Sequence, residues 1–102
     1  MSNKIYTIDE IKTSLKSLLN DTDVVKVILF GSYAKNNATE TSDIDLVIDS
    51  DGKLIGFKLF SLISKIEDIF KKNVDAFEKF EIIKGSKVDI EINRTGVIVY
   101  EK

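Results

Sequence analysis

The chain contains no cysteine and no histidine. The first absence excludes disulfides, thiolate zinc sites and a cysteine nucleophile. The second removes the commonest general base and the commonest transition-metal ligand. A metal bound by these side chains must be held by oxygen, which favours Mg²⁺, Mn²⁺ or Ca²⁺. Long apolar runs are missing as well. None approaches membrane length and residues 1–6 hold no apolar signal core, so the expected setting is intracellular, in the cytoplasm, with no membrane partner. Nor is there a basic surplus. Fifteen Lys and Arg stand against 17 Asp and Glu, for a net charge of -2. Direct binding to nucleic acid is therefore not expected, and any nucleotide contact must be local.

What is present suits one soluble domain over residues 1–102, with 43% hydrophobic and 31% charged residues. Thr7-Ile8-Asp9-Glu10 fits a capping box, and Ile8, Ile11, Leu15, Leu18 and Leu19 follow at helical spacing. Residues 24–30 form a β-branched apolar run broken only by Lys26, as in a strand buried on both faces. Residues 43–49 alternate, with Ile44, Leu46 and Ile48 on one face and Asp43, Asp45, Val47 and Asp49 on the other. Ser50-Asp51-Gly52 signals a turn. Residues 56–72 carry a helical stripe of Leu59, Phe60, Ile63, Ile66 and Phe70. A short strand is expected at 73–77, with Asp75 on its polar face. Residues 87–95 admit two readings. Ser86 and the Gly96 stop favour a helix, while the alternation of Val88-Asp89-Ile90-Glu91-Ile92 favours a strand. The helix is preferred because a further strand, 97–100, follows the glycine. The expected order is α-β-β-α-β-α-β, a small α/β domain in which adjacent strands pair directly.

The chemistry concentrates in "GSYAKNNATETSDID", residues 31–45. Residues i and i+2 of a strand share a face about 6.5–7 Å apart, so Asp43 and Asp45 aim two carboxylates into one space. Alone they repel and raise a pKa; with one or two Mg²⁺ ions the repulsion becomes a binding site. Gly31 lets backbone N–H groups approach a phosphate without a Cβ in the way, and Ser32 adds a hydroxyl donor. A short helix near Tyr33-Ala34-Lys35 would favour an anion at its start, and Lys35 adds positive charge. Taken singly, Gly31 can just end a strand, Ser32 can just cap a helix, and an Asp-x-Asp pair is often a solvated edge.

Gly-Ser, about ten residues, then Asp-x-Asp on a strand–loop–strand background resembles the signature of the DNA polymerase β-like nucleotidyltransferase superfamily. The chain's size and its ending "NRTGVIVYEK" are similar to the minimal nucleotidyltransferases, antitoxin partners of helical HEPN proteins. The resemblance implies a polymerase β-like fold, with a small mixed sheet of about four strands and helices packed on one face. It implies transfer of AMP from ATP to a hydroxyl on a HEPN-type partner. Gly31, Ser32 and Lys35 would bind the nucleotide. Asp43, Asp45 and a third acid, Asp75, would hold two Mg²⁺ ions (Mn²⁺ as a substitute), with Asp75 also activating the hydroxyl. Asp49 and Asp89 are rivals for the third place. The chain departs from the pattern in carrying Lys35 where Arg is common and Asn36-Asn37 where Gly is common; Lys lacks the bidentate fork of Arg. The competing expectation is a binding module that neutralises a partner without turnover. Asp49 and Asp51 are otherwise expected to shape a turn, and Lys71-Lys72 to form a solvated helix end. The series Phe57, Phe60, Phe70, Phe77 and Phe80 is expected to be mostly core, with some of it available to a partner.

Overall fold

The first helix, α1 (Ile8–Leu19), starts where local chemistry dictates. Thr7 Oγ1 accepts the Glu10 amide at 3.0 Å, and Glu10 Oε1 accepts the Thr7 amide at 2.9 Å. This is the expected reciprocal cap. Ile11, Leu15 and Leu19 then bury one stripe. The computed structural model describes residues 4–102; residues 1–3, the start of the stretch read for a signal core, lie outside the described residues.

Four strands follow: β1 (Lys26–Phe30), β2 (Ile44–Asp49), β3 (Val74–Glu78) and β4 (Val97–Glu101). They form one sheet in the order β3-β2-β1-β4. β1 pairs antiparallel with both β2 and β4, while β2 and β3 are parallel. A parallel pair needs a crossover, and α3 (Phe57–Phe70) supplies it. Val27 and Leu29 of β1 and Ile44, Leu46 and Ile48 of β2 face one side, where they meet the buried stripes of α1 and α3. The packing of helices on one face thus holds for the two long helices. The last helix, α4 (Lys87–Thr95), differs: it borders the opposite face, against Ile28. Ser86 caps it by accepting the Asp89 amide at 3.2 Å.

Three expectations need correction. The buried stripe of α3 is Leu59, Leu62, Ile66 and Phe70, and Phe60 is 70% exposed. The phenylalanine series is not mostly core, because Phe57 is 92% exposed and Phe80 points outward as well. Lys72 is not solvated at a helix end but 5% exposed, and its Nζ donates to the Glu40 carbonyl at 2.8 Å. That bond ties the end of α3 to the loop that leads into β2. No helix among the described residues is long and apolar enough to cross a membrane.

Candidate active site

β1 ends at Phe30, and the chain turns at once into a single helical turn, α2 (Gly31–Ala34). The turn requires Gly31 at φ +75°, the left-handed region that side chains disfavour. It also requires closeness. A Cβ at Gly31 would collide with Asp45 Oδ2. Gly31 therefore stands directly against the Asp45 carboxylate, as the antiparallel pairing of Phe30 with Asp45 demands. Tyr33, buried, roots the turn in the core. The Lys35 amide donates to the Gly31 carbonyl at 3.1 Å, and the Asn37 amide to the Ser32 carbonyl at 3.1 Å. Asn36 takes φ +59°, which asparagine tolerates better than most residues.

The loop to β2 is pinned at both ends. The Thr39 amide donates to Ser42 Oγ at 2.8 Å, and the Ile44 amide donates to the Asn73 carbonyl at 3.1 Å. Asp43 sits just before β2 and Asp45 inside it. Across the parallel pairing, Asp45 lies opposite Asp75. Two carboxylates thus share a rung of neighbouring strands, with a third one same-face step away. The rivals have other occupations. Asp49 accepts the Asp51 amide at 3.1 Å and pairs with Lys79 Nζ at 3.6 Å. Asp89 accepts the Gly85 amide at 2.8 Å, ahead of α4.

A fourth acid joins them, one that the motif does not announce. Glu91 of α4 pairs with Lys35 Nζ at 3.7 Å, and its Oε2 is buried without a hydrogen-bond partner. One turn later, Thr95 Oγ1 accepts the Gly31 amide at 3.3 Å while donating to the Glu91 carbonyl at 2.9 Å. α4 is therefore latched onto the Gly-Ser corner. The electrostatic result falls on Asp45, whose carboxyl is pushed from an ordinary 3.8 up to about 6. Burial is the main cause, followed by the negative charges of Asp75, Asp43 and Glu91.

Among the described residues no three acidic side chains close into a ready-made metal cage. Asp43, Asp45 and Asp75 are near enough to repel without converging on one point. The set nevertheless fits a hard divalent cation. The donors are all carboxylate oxygens, and the central one carries a proton affinity that a bound cation would relieve. Gly31, Ser32 and Lys35 border the same place, so an anion and a cation could be held side by side.

The model of the nucleotidyltransferase domain matches residues 8–97. Inferred protein adenylyltransferases of Methanocaldococcus jannaschii are similar in sequence. One is 39% identical over 74% of this chain and 82% of its own length; another is 34% identical over 80% of this chain and all of its own length. Among solved structures, a toxin–antitoxin complex with AMP-PNP superposes at a TM-score of 0.72, with 21% identity, over 89% of this chain and 73% of the other. A tri-AMPylated Shewanella oneidensis HEPN toxin in complex with its MNT antitoxin gives 0.65, with 17% identity, over 94% and 74%. These structures establish the shared fold, that of the polymerase β-like nucleotidyltransferases. With the match of the family model over nearly the whole chain, the conclusion is that this protein belongs to the nucleotidyltransferase domain family.

Proposed function

We propose that this chain is a metal-dependent protein adenylyltransferase that moves AMP from ATP to a hydroxyl of a HEPN-type helical partner and so acts as its antitoxin, in the cytoplasm. The observation that carries this reading is the shared rung of Asp45 and Asp75 beneath a glycine whose missing side chain makes room for Asp45. Such a rung is destabilising in isolation and purposeful beside a cation. Support also comes from the inferred activity of the archaeal relatives and from the toxin–antitoxin complexes that share the fold.

In this reading Gly31 and Ser32 bind the β- and γ-phosphates, and Lys35 adds charge beside them. Asp43, Asp45 and Asp75 are the residues that would hold two Mg²⁺ ions, or Mn²⁺ in their place. When bound, the ions neutralise the triphosphate and the clustered carboxylates. Asp75 accepts the proton of the incoming hydroxyl, since the chain has no histidine for that task. The hydroxyl oxygen forms a bond to the α-phosphorus, the bond from that phosphorus to the β-bridging oxygen breaks, and pyrophosphate leaves. The protein's contribution is positioning and charge. The acceptor comes from outside, and the exposed side chains of Ile55, Phe57 and Phe60 offer an apolar surface for its carrier.

The second reading, a non-catalytic antitoxin, is favoured by that same apolar surface together with the Lys35–Glu91 pair, which occupies the one lysine of the phosphate corner. One comparison separates the two. The protein is incubated with α-labelled ATP, Mg²⁺ and the partner protein, beside the double variant Asp43→Ala/Asp45→Ala. The enzyme reading expects label on the partner with the parent protein alone. No label with either, while both silence the partner, leaves the binding module.

A further inference from the structure

Two of the donors that an anion would use at the Gly-Ser corner are already engaged, and both by α4. The Gly31 amide donates to Thr95 Oγ1 at 3.3 Å, and Lys35 Nζ lies 3.7 Å from Glu91 Oε1. The Thr95 hydroxyl is fixed in this role. Its own proton goes to the Glu91 carbonyl at 2.9 Å, one turn back, so only lone pairs remain to face Gly31. Thr95 and Glu91 stand four residues apart on one face of α4, and Gly31 and Lys35 stand at the two ends of α2. The contact is a two-point clasp between a helix and the corner.

Both points are ones that a polyphosphate could replace. A charged phosphate oxygen is a stronger acceptor for the Gly31 amide than a neutral hydroxyl. The Lys35 and Glu91 side chains are 42% and 39% exposed, in the range where an ion pair contributes little. Glu91 is also held at a cost, because its Oε2 is buried without a hydrogen-bond partner and adds repulsion at Asp45. α4 itself is lightly packed. None of its residues is buried, and Ile90 is half exposed. A cavity of about 290 Å³ is lined by Ile92 and Asn93 of this helix and by Ile28 and Val47 of the sheet, so the helix does not seal against the strands. An element with so little buried surface shifts at low cost.

We propose that α4 is a built-in competitor for the phosphate corner: Thr95 and Glu91 occupy the Gly31 amide and the Lys35 ammonium until a polyphosphate takes both. Thr95 and Glu91 are positioning residues, acting on the donors and not on the reacting atoms. The inference rests on the nucleotide-transfer reading for the identity of the anion, and it adds a control on how tightly that anion is held. Loading the corner then loosens α4, and emptying it restores the clasp.

The test is amide NMR titration of the full chain with Mg²⁺-ATP, in the parent and in Thr95→Val, Thr95→Ser, Glu91→Gln, Lys35→Gln and the double variant Lys35→Gln/Glu91→Gln. Thr95→Val and Glu91→Gln should each bind roughly two- to fivefold more tightly, because the lost contact no longer competes. Thr95→Ser, which keeps the hydroxyl, should bind like the parent. The gain from Glu91→Gln should vanish when Lys35 is already Gln, since the glutamate acts through that lysine. A gain of the same size in both backgrounds would overturn the clasp at Glu91, by reducing it to the removal of a nearby negative charge. Unchanged or weaker binding in Thr95→Val and Glu91→Gln would overturn the proposal and leave the nucleotide reading intact. If Thr95→Val fails to fold, the cycle of Lys35 with Glu91 decides alone. No binding by any variant at millimolar Mg²⁺-ATP would overturn both readings.

Discussion

Gly31 and Asp45 constrain each other. The glycine holds a left-handed backbone, and the carboxylate fills the space where its Cβ would be. Gly31→Ala should therefore cost about 1–2 kcal/mol for the conformation alone and displace Asp45 as well. Denaturant unfolding would show the first effect and loss of Mg²⁺-dependent ATP binding the second; a variant with parental stability and affinity would contradict the account. Asp45 supplies a pH prediction. Its carboxyl titrates near 6 in the fold against an ordinary 3.8, so the folded state holds the proton more tightly. The stability this confers is full below about 3.8 and is lost as pH rises through about 6. Asp45→Asn should then raise the melting temperature by a few degrees at pH 7.5 in the absence of metal, with the gain shrinking toward pH 4. A gain that does not change with pH would contradict the cause given. Glu91 had no signal in the sequence. Its role depends on which side of the sheet α4 takes, and spacing along one segment does not carry that information.

At the scale of elements, the chain was readable where local chemistry settles the matter. The Thr7–Glu10 cap, the β-branched run of β1 and the alternation of β2 each state their own conformation. α4 was harder because its alternation suits a strand. In the helix, Val88 and Ile92 fall four residues apart on one half-buried face, and Ile90 turns outward. Ser86 and Gly96 carried the decision, and the caps proved better guides than the pattern. In α3 the pattern misled, since apolar residues surround the helix and only tertiary packing selects Leu62 over Phe60. A different device holds the turn after β2. Glu78, 1% exposed, accepts hydrogen bonds from both the amide and the hydroxyl of Ser50, and Ser50 Oγ accepts the Leu54 amide at 2.9 Å. Glu78→Ala leaves these donors buried without an acceptor and should cost about 1–3 kcal/mol in chemical denaturation. A cost near zero would show that water replaces the carboxylate.

Across the whole molecule, the two features the proposal uses lie on different parts of the surface. One carries the carboxylates, the Gly-Ser corner and α4, while the exposed Phe57 and Phe60 crown the start of α3 elsewhere. These rings are separated by one helical turn and are 92% and 70% exposed. Phe57→Ser/Phe60→Ser should keep the melting temperature within a few degrees and abolish a stable complex with the proposed helical partner in size-exclusion chromatography. A complex that survives places the partner on another surface. The site itself was largely legible because its residues lie within 15 positions of one another, from Gly31 to Asp45. Asp75, on a later strand, was expected beside them only from the family resemblance, and the parallel pairing of β2 with β3 is what sets it opposite Asp45.

The central claim is that the Gly-Ser corner and the carboxylate rung form one site for a nucleotide and its metal. Thermal unfolding in ATP with Mg²⁺, against ATP with a chelator, tests it most directly. At 100 times Kd, binding should stabilise the fold by about 2.7 kcal/mol with Mg²⁺, far less with the chelator, and not at all in Asp45→Asn. Equal stabilisation with and without Mg²⁺, or none at saturating ATP, would contradict it.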